Sequence, residues 1–244
     1  MMPTTQNFDE LPLFFEGCSR ILKCSADPKR LICKLKPTLF SLQKNGPIIV
    51  PGIDAIRTKL NAFLCTVLQR HGIHTSTIET DGEFIIMEKH DVAPIEVVVK
   101  GALVGSPKHI YKGIDKTPTR FGAYLEGKHA PYVRFDWRNP LPLEDECMPY
   151  GLADWFIDTR QASQTVLQAF QILQDFLAPR DLALLDICFF MNREGSVICG
   201  EVSTDNSRFT YVGSDPHLQK ILSSRAKDKA LEYAQTILDL LEGR

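Results

Sequence analysis

The order of apolar patterns along the chain constrains its fold most. Strand-like runs come in neighbouring sets, and helix-period stretches fall between those sets rather than after every strand. That order argues against the strict β-α-β alternation of a doubly wound sheet. It predicts an α+β fold, with antiparallel sheets and flanking helices. Helices are expected over 54–71, 159–177 and 216–241. In the first, Ile53, Ile56, Leu60, Phe63, Leu64, Val67 and Leu68 recur at three- and four-residue spacing, and Gly72 ends it. Val166, Leu167, Phe170, Leu173, Phe176 and Leu177 mark the second, which Pro179 stops. Leu218, Ile221, Leu222, Leu231, Ala234, Ile237, Leu238 and Leu241 mark the third.

The strand signals are shorter. Residues 13–36 read as a short antiparallel pair, from Phe14-Phe15 through turns at Glu16–Ser19 and Asp27-Pro28 to Leu31–Leu35. Residues 43–52 are rich in Pro and Gly and read as loop. Thr75–Thr80, Asp81-Gly82 and Phe84–Met87 read as a hairpin. Ile95–Val99 is apolar enough for a central strand. Residues 105–155 carry many prolines and no period, so they read as an irregular, functional segment. A second hairpin is expected from Leu182–Met191, the turn Asn192–Gly195 and Ser196–Ser203. A boundary near residue 91 divides the chain into an N-terminal lobe, 1–91, and a C-terminal lobe, 92–244.

Formal net charge is -2, and there is no basic run with interleaved aromatics, so nucleic acid is not an expected partner. The 7 cysteines form no CxxC pair, which fits neither a zinc site nor a disulfide framework. No apolar run is long enough to span a bilayer, and the polar, acidic first ten residues do not resemble a secretory leader. The expectation is a soluble, cytoplasmic protein with reduced thiols and no membrane partner.

The loop Ser203-Thr204-Asp205-Asn206-Ser207-Arg208 carries the chemistry. It sets a carboxylate, hydroxyls and a guanidinium beside a buried strand, where they can hold an anionic or amine-bearing small molecule. The alternative is a capped turn. Asp186, on an otherwise apolar run, needs a partner if buried; a structural ion pair with Arg208 or Lys100 is the alternative to a catalytic role. Arg134–Pro140 combines arginines, an Asp and Trp137, which suits a base or imidazole, or else a surface loop; Tyr124 and Glu126 fall nearby. His71 and His74 flank Gly72 and read as suiting a helix end rather than as catalysts. Cys188 reads as a small buried hydrophobe.

In order and spacing, over about residues 14–212, these motifs resemble the phosphoribosylaminoimidazole-succinocarboxamide synthases. The family's Gly-Lys-x-Lys turn is rendered Gly17-Cys18-Ser19-Arg20, and its Gly-Ile-x-Thr passage is Gly72-Ile73-His74-Thr75. Its Glu-Val-Val-Val-Arg strand and following Gly-Ser correspond to Glu96–Lys100 and Gly105-Ser106. Its buried Asp corresponds to Asp186, and its Asp-Glu then Ser-Pro-Asp-x-x-Arg to Gly200-Glu201 and Ser203–Arg208.

The resemblance implies a two-lobed fold and joining of aspartate's amine to the carboxylate of a ribosyl-imidazole nucleotide, with ATP and Mg²⁺. It implies catalytic roles for Asp186, Asp205 and Arg208. Substrate contacts fall to Lys100, Ser106, Ser207, Arg138 and Glu201, and cofactor contacts to Gly17 and Arg20. The implied partners are a ribonucleotide and aspartate; a homo-oligomer is left open. The chain departs from the family on one strand face. Where the family has Asp, Lys and Glu with a facing Asp, this chain has Asp186, Cys188, Phe190 and a facing Gly200. A hard cation wants carboxylate oxygens, and neither Phe190 nor Gly200 offers one. ATP-independent chemistry on a related nucleotide, as in nucleoside-antibiotic biosynthesis, and a non-catalytic nucleotide-binding subunit are therefore the competing expectations.

Overall fold

The computed structural model describes residues 5–41, 46–104, 113–125, 128–140, 143, 145–223 and 229–244. Strands β1 (Leu13–Glu16), β2 (Arg20–Cys24) and β3 (Arg30–Leu35) form an antiparallel meander rather than a single pair. Next come β4 (Thr38–Ser41) and its antiparallel partner β5 (Gly46–Ile49), the latter where loop was expected, then helix α1 (Ile53–Arg70). After β6 (His74–Thr75), strands β7 (Thr77–Asp81) and β8 (Phe84–Glu88) complete a five-stranded sheet of order β1-β2-β3-β8-β7.

The second half begins with β9 (Ile95–Ala102), β10 (Lys128–Trp137) and β11 (Glu146–Cys147), followed by helices α2 (Tyr150–Ala153) and α3 (Thr159–Leu177). It continues with β12 (Leu182–Phe189), β13 (Val197–Ile198) and β14 (Ser207–Tyr211), then α4 (Pro216–Ser223) and α5 (Ala230–Glu242). The second five-stranded sheet has the order β11-β10-β9-β12-β14, so β9 is central as expected. All its neighbours run antiparallel.

Several expectations are corrected. The stretch 105–155 contains the ten-residue strand β10. Its alternate residues Val133 and Phe135 pack into the core, while Arg134 and Asp136 are buried on the other face. Charged residues hid the period of two. The expected hairpin over 182–203 is reduced to one bridge, Met191 to Ile198, because β12 pairs instead with β9 and β14 while β13 pairs in parallel with β6. The last helix is two helices, α4 and α5. Ser207 and Arg208 belong to β14, not to a loop.

The core explains the helices. The apolar stripes of α1, α3 and α5 bury Leu60, Leu64, Leu68, Val166, Leu173, Leu177, Ile237 and Leu238 against Val97, Val99, Ile187 and Phe189 of the second sheet. Each such side chain contributes about 1.5–3 kcal/mol when fully buried. Asp158 caps α3 by accepting from the Gln161 amide at 2.8 Å. The two sheets divide between Glu88 and Ile95, yet α1 lends its apolar face to the core of the second sheet.

β14 is an edge strand, and edges leave backbone groups unpaired. The Tyr233 hydroxyl of α5 covers this one, donating to the Phe209 carbonyl and accepting from the Phe209 amide, both at 2.9 Å. Tyr233→Phe strips both partners from a buried strand and should cost about 1–3 kcal/mol. Urea unfolding should show a lower midpoint at unchanged slope; an unchanged midpoint would mean the edge is satisfied without the hydroxyl.

Candidate active site

The pleat of the second sheet sorts side chains onto two faces. Odd-numbered residues of β9 (Ile95, Val97 and Val99) enter the core. On the opposite face lie Glu96 and Lys100 of β9, Arg134 and Asp136 of β10, Asp186 and Cys188 of β12, and Arg208 of β14; cross-strand pairs Asp136–Glu96, Lys100–Asp186 and Asp186–Arg208 bring them together. An irregularity between Leu184 and Asp186 in the pairing with β14 switches Asp186 onto this face.

Asp186 is the anionic centre. Its Oδ2 accepts from Lys100 Nζ at 2.5 Å and from Arg208 Nη1. Lys100 also donates to the Val104 carbonyl at 2.5 Å. Burial lowers the Lys100 pKa from the usual lysine range, and Asp186 opposes that shift. Beside them Arg134 grips Asp136 with two bonds, of 2.7 and 2.5 Å. Glu96 is raised by burial, its largest influence, while hydrogen bonding to the Cys188 thiol lowers it. The Cys188 thiol is itself pushed well up by burial and by Glu96, so it is no thiolate nucleophile.

A second cluster fixes the loop after β13. Arg57 of α1 is 0% exposed, and all five of its N–H groups find acceptors. Nε and Nη2 hold Glu201 at 2.8 and 2.6 Å, and Nη2 reaches Asp205 at 3.1 Å. Nη1 donates to the carbonyls of Thr38 at 2.9 Å and Lys36 at 3.4 Å. One turn on, buried Asn61 accepts from the Val202 amide at 2.9 Å. Within the loop, the Asn206 side chain accepts from the Ser203 amide at 2.9 Å and donates to the carbonyls of Cys188 and Glu201 at 2.7 and 2.5 Å. The Ser207 hydroxyl donates to the Ser203 carbonyl.

Phe190 stands between the clusters. The Arg20 guanidinium lies 5.2 Å from its ring centre and that of Arg138 lies 4.6 Å away. The ring is seated on Gly200, where an added Cβ would lie 2.7 Å from Phe190 Cδ2. Gly200 is thus needed for close approach.

Residues 16–233 match the family model for SAICAR synthetase. The chain belongs to the SAICAR synthetase family. It is 29% identical over 222 residues to the phosphoribosylaminoimidazole-succinocarboxamide synthase of Campylobacter concisus, covering 85% of this chain and 88% of that protein. It is 24% identical over 243 residues to the bifunctional cordycepin biosynthesis cluster protein 3 of Cordyceps militaris, covering 84% of this chain and 26% of that larger protein. Among solved structures, a type-2 SAICAR synthetase in complex with ADP superposes with a TM-score of 0.75 at 23% identity, over 94% of this chain and 97% of that one. The shared fold is the two-sheet α+β arrangement described above.

The sequence resemblance implies ATP and Mg²⁺, and a solved relative is in complex with ADP, but this face does not fit a metal-bound triphosphate in the manner the resemblance implies. Phe190 and Gly200 stand where the resemblance places a Glu and an Asp, and the ring fills the space beside Gly200. Asp186 is engaged by Lys100 and Arg208, Asp136 by Arg134, and Glu201 and Asp205 by Arg57.

Of the residues singled out from the sequence, Lys100, Asp186 and Arg208 meet in one cluster, Glu201 and Asp205 in the other, and Arg20 and Arg138 on Phe190. Ser207 is buried and holds the loop's shape. Gly17 forms the β1–β2 turn, its amide donating to the Arg20 carbonyl at 3.0 Å. Gly105, Ser106 and Glu126 lie outside the described residues; Tyr124 is exposed. Arg134 and Asp136, read as part of a loop, pair with each other on β10; sequence reasoning missed Arg57 and Glu96 as an acid in its own right. Arg57 had a signal: it follows Ile53 by four residues on the apolar row, where a charge requires partners.

Asp205 is pushed up to about 6 by burial, against the pull of Arg57 and with help from the charge of Glu201. An unfolded Asp titrates near 3.9, so between about pH 4 and 6 the folded chain holds this proton and the unfolded chain does not. Stability from this group therefore falls as pH rises through that window. Relative to Asp205→Asn, the native chain should lose about 1 kcal/mol from pH 4 to 6, a modest value because the carboxylate is partly exposed. Parallel stability curves would place the proton elsewhere.

Proposed function

We propose that this chain is an enzyme acting on a phosphoribosyl-imidazole or purine-type ribonucleotide without gripping magnesium and ATP in the family manner. The observation that carries the reading is Phe190, seated on Gly200 between Arg20 and Arg138. In this reading the substrate lies on the charged face of the second sheet, at the division between lobes 1–91 and 92–244. Lys100 and Arg208 already converge on one carboxylate, Asp186. An incoming phosphate or carboxylate shares those donors and gives Lys100 a second counter-charge, which favours its ammonium form. Arg138 stacks beside the imidazole or base. Asp205, with its raised pKa, moves the proton of an attacking amine, aspartate's or another's. Likeness to a cordycepin-cluster protein supports a setting in nucleoside-antibiotic biosynthesis. The amide ligation of primary purine synthesis is the outcome that a positive ATP result would establish.

The first test is calorimetric titration with carboxyaminoimidazole ribonucleotide, with and without magnesium and ATP. The nucleotide should bind without ATP, and Arg208→Ala should weaken it about tenfold or more by removing a charged hydrogen bond. Unchanged affinity in that variant would move the substrate off this face. Tight ATP binding, with phosphate release needing aspartate, would overturn the ATP-independent part.

A second test rebuilds the carboxylates. Gly200→Asp alone forces a side chain into the Phe190 ring and should cost about 1–3 kcal/mol of stability. Combined with Phe190→Glu it should fold and gain measurable magnesium-dependent ATP affinity. No gain in a folded double variant would mean that these two positions do not decide cofactor use.

A further inference from the structure

His74, Glu88 and His90 form a cluster that the functional reading does not use. His74 opens β6, Glu88 closes β8, and His90 lies two residues further along. Both imidazoles aim Nε2 at the same oxygen, Glu88 Oε2, at 3.0 and 3.1 Å. The rings meet edge to face with centres 6.0 Å apart. All three ligand atoms lie within 4.8 Å of one another, the one such group among the described residues.

The backbone around the cluster is tied down. The Glu88 amide donates to the Ser76 carbonyl and the Lys89 amide to the Lys29 carbonyl, both at 2.8 Å. Asp91 accepts from Arg193, through its side chain at 2.7 Å and its carbonyl at 3.1 Å. Val92 bridges to Asn192, and His74 sits opposite Val197 in the β6–β13 pair. The ligands therefore come from two segments, β6 and the end of β8, each tied by backbone hydrogen bonds.

We propose that His74, Glu88 and His90 bind a borderline divalent transition-metal ion such as Zn²⁺, Co²⁺ or Ni²⁺. Two imidazoles and one carboxylate suit these ions, whereas Mg²⁺ and Ca²⁺ select oxygen donors. The two imidazole–carboxylate spacings suit tetrahedral coordination, in which bonds of about 2.0–2.1 Å set neighbouring ligand atoms about 3.3 Å apart, and the two imidazole nitrogens lie within 4.8 Å of each other. The observed 3.0 and 3.1 Å separations need little movement. His74 and Glu88 are exposed enough to leave the remaining position to water. The ion would clamp the end of β8 to the β6–β13 pair, where the chain crosses from the first sheet to the second. Its role is structural, and it is independent of the nucleotide site.

The test uses the full chain and metal alone. Titration with Co²⁺ should give visible absorption of an imidazole- and carboxylate-bound ion without a thiolate charge-transfer band, which separates this site from exposed Cys18 and Cys147. Zn²⁺ should raise the melting temperature as its concentration passes the Kd. His74→Ala with His90→Ala should weaken binding by at least the roughly 10–100-fold that loss of even an outer-sphere partner costs. Glu88→Gln, which keeps the shape, should also weaken it and serves if the double variant does not fold. No Co²⁺ spectrum and no Zn²⁺-dependent shift in the native chain would overturn the proposal. So would binding unchanged in either variant.

Discussion

A guanidinium that no water reaches must find an acceptor for every N–H, and Arg57 finds all of its own at the meeting point of three parts of the chain. It springs from α1, takes carbonyls from the segment leading into β4, and holds both carboxylates of the loop after β13. Removing one partner of such a buried pair typically costs about 3–5 kcal/mol, because the other charge is stranded. The arrangement therefore fixes where the loop stands before any ligand arrives. Asn61, one turn along α1, fixes the same loop by its backbone.

The second sheet has one face buried in the core and one charged face that is partly buried. One face is apolar and lies under α3, with α1 packed on α3 in the same core. The other carries Glu96, Lys100, Arg134, Asp136, Asp186 and Arg208 in interlocking pairs. Desolvation lowers Lys100 and raises Glu96, and their neighbours oppose both shifts, so the two stay bonded although burial disfavours their charged forms. Such a face is poised to exchange partners with an anionic guest.

Period and punctuation revealed much of the fold. α1 and α3 fall where their apolar spacing puts them, within a residue or two of Gly72 and Pro179. β10 did not show itself, since a strand whose alternate positions are charged reads as surface until its second face is known to be buried. Local pattern also cannot tell which strands become neighbours, so β12 was given to β13 when it lies between β9 and β14. In the candidate site, Lys100, Asp186 and Arg208 stood out by residue type, but Arg57 was passed over on an apolar row. Ser207, chosen as a ligand contact, turns inward to its own loop. His74 was assigned to the helix end; its partners Glu88 and His90 come near it only through sheet pairing.

Phe190 and Gly200 illustrate how one packing contact ties two positions together. With the ring in place, a side chain at 200 collides with it. With the ring gone, a hole opens between two arginines that have lost their common surface. A carboxylate at 200 is therefore accommodated only together with a change at 190, and a change at 190 alone leaves an unfilled gap. The two positions act as one unit, so the chemistry open to residue 200 is set by the ring at 190.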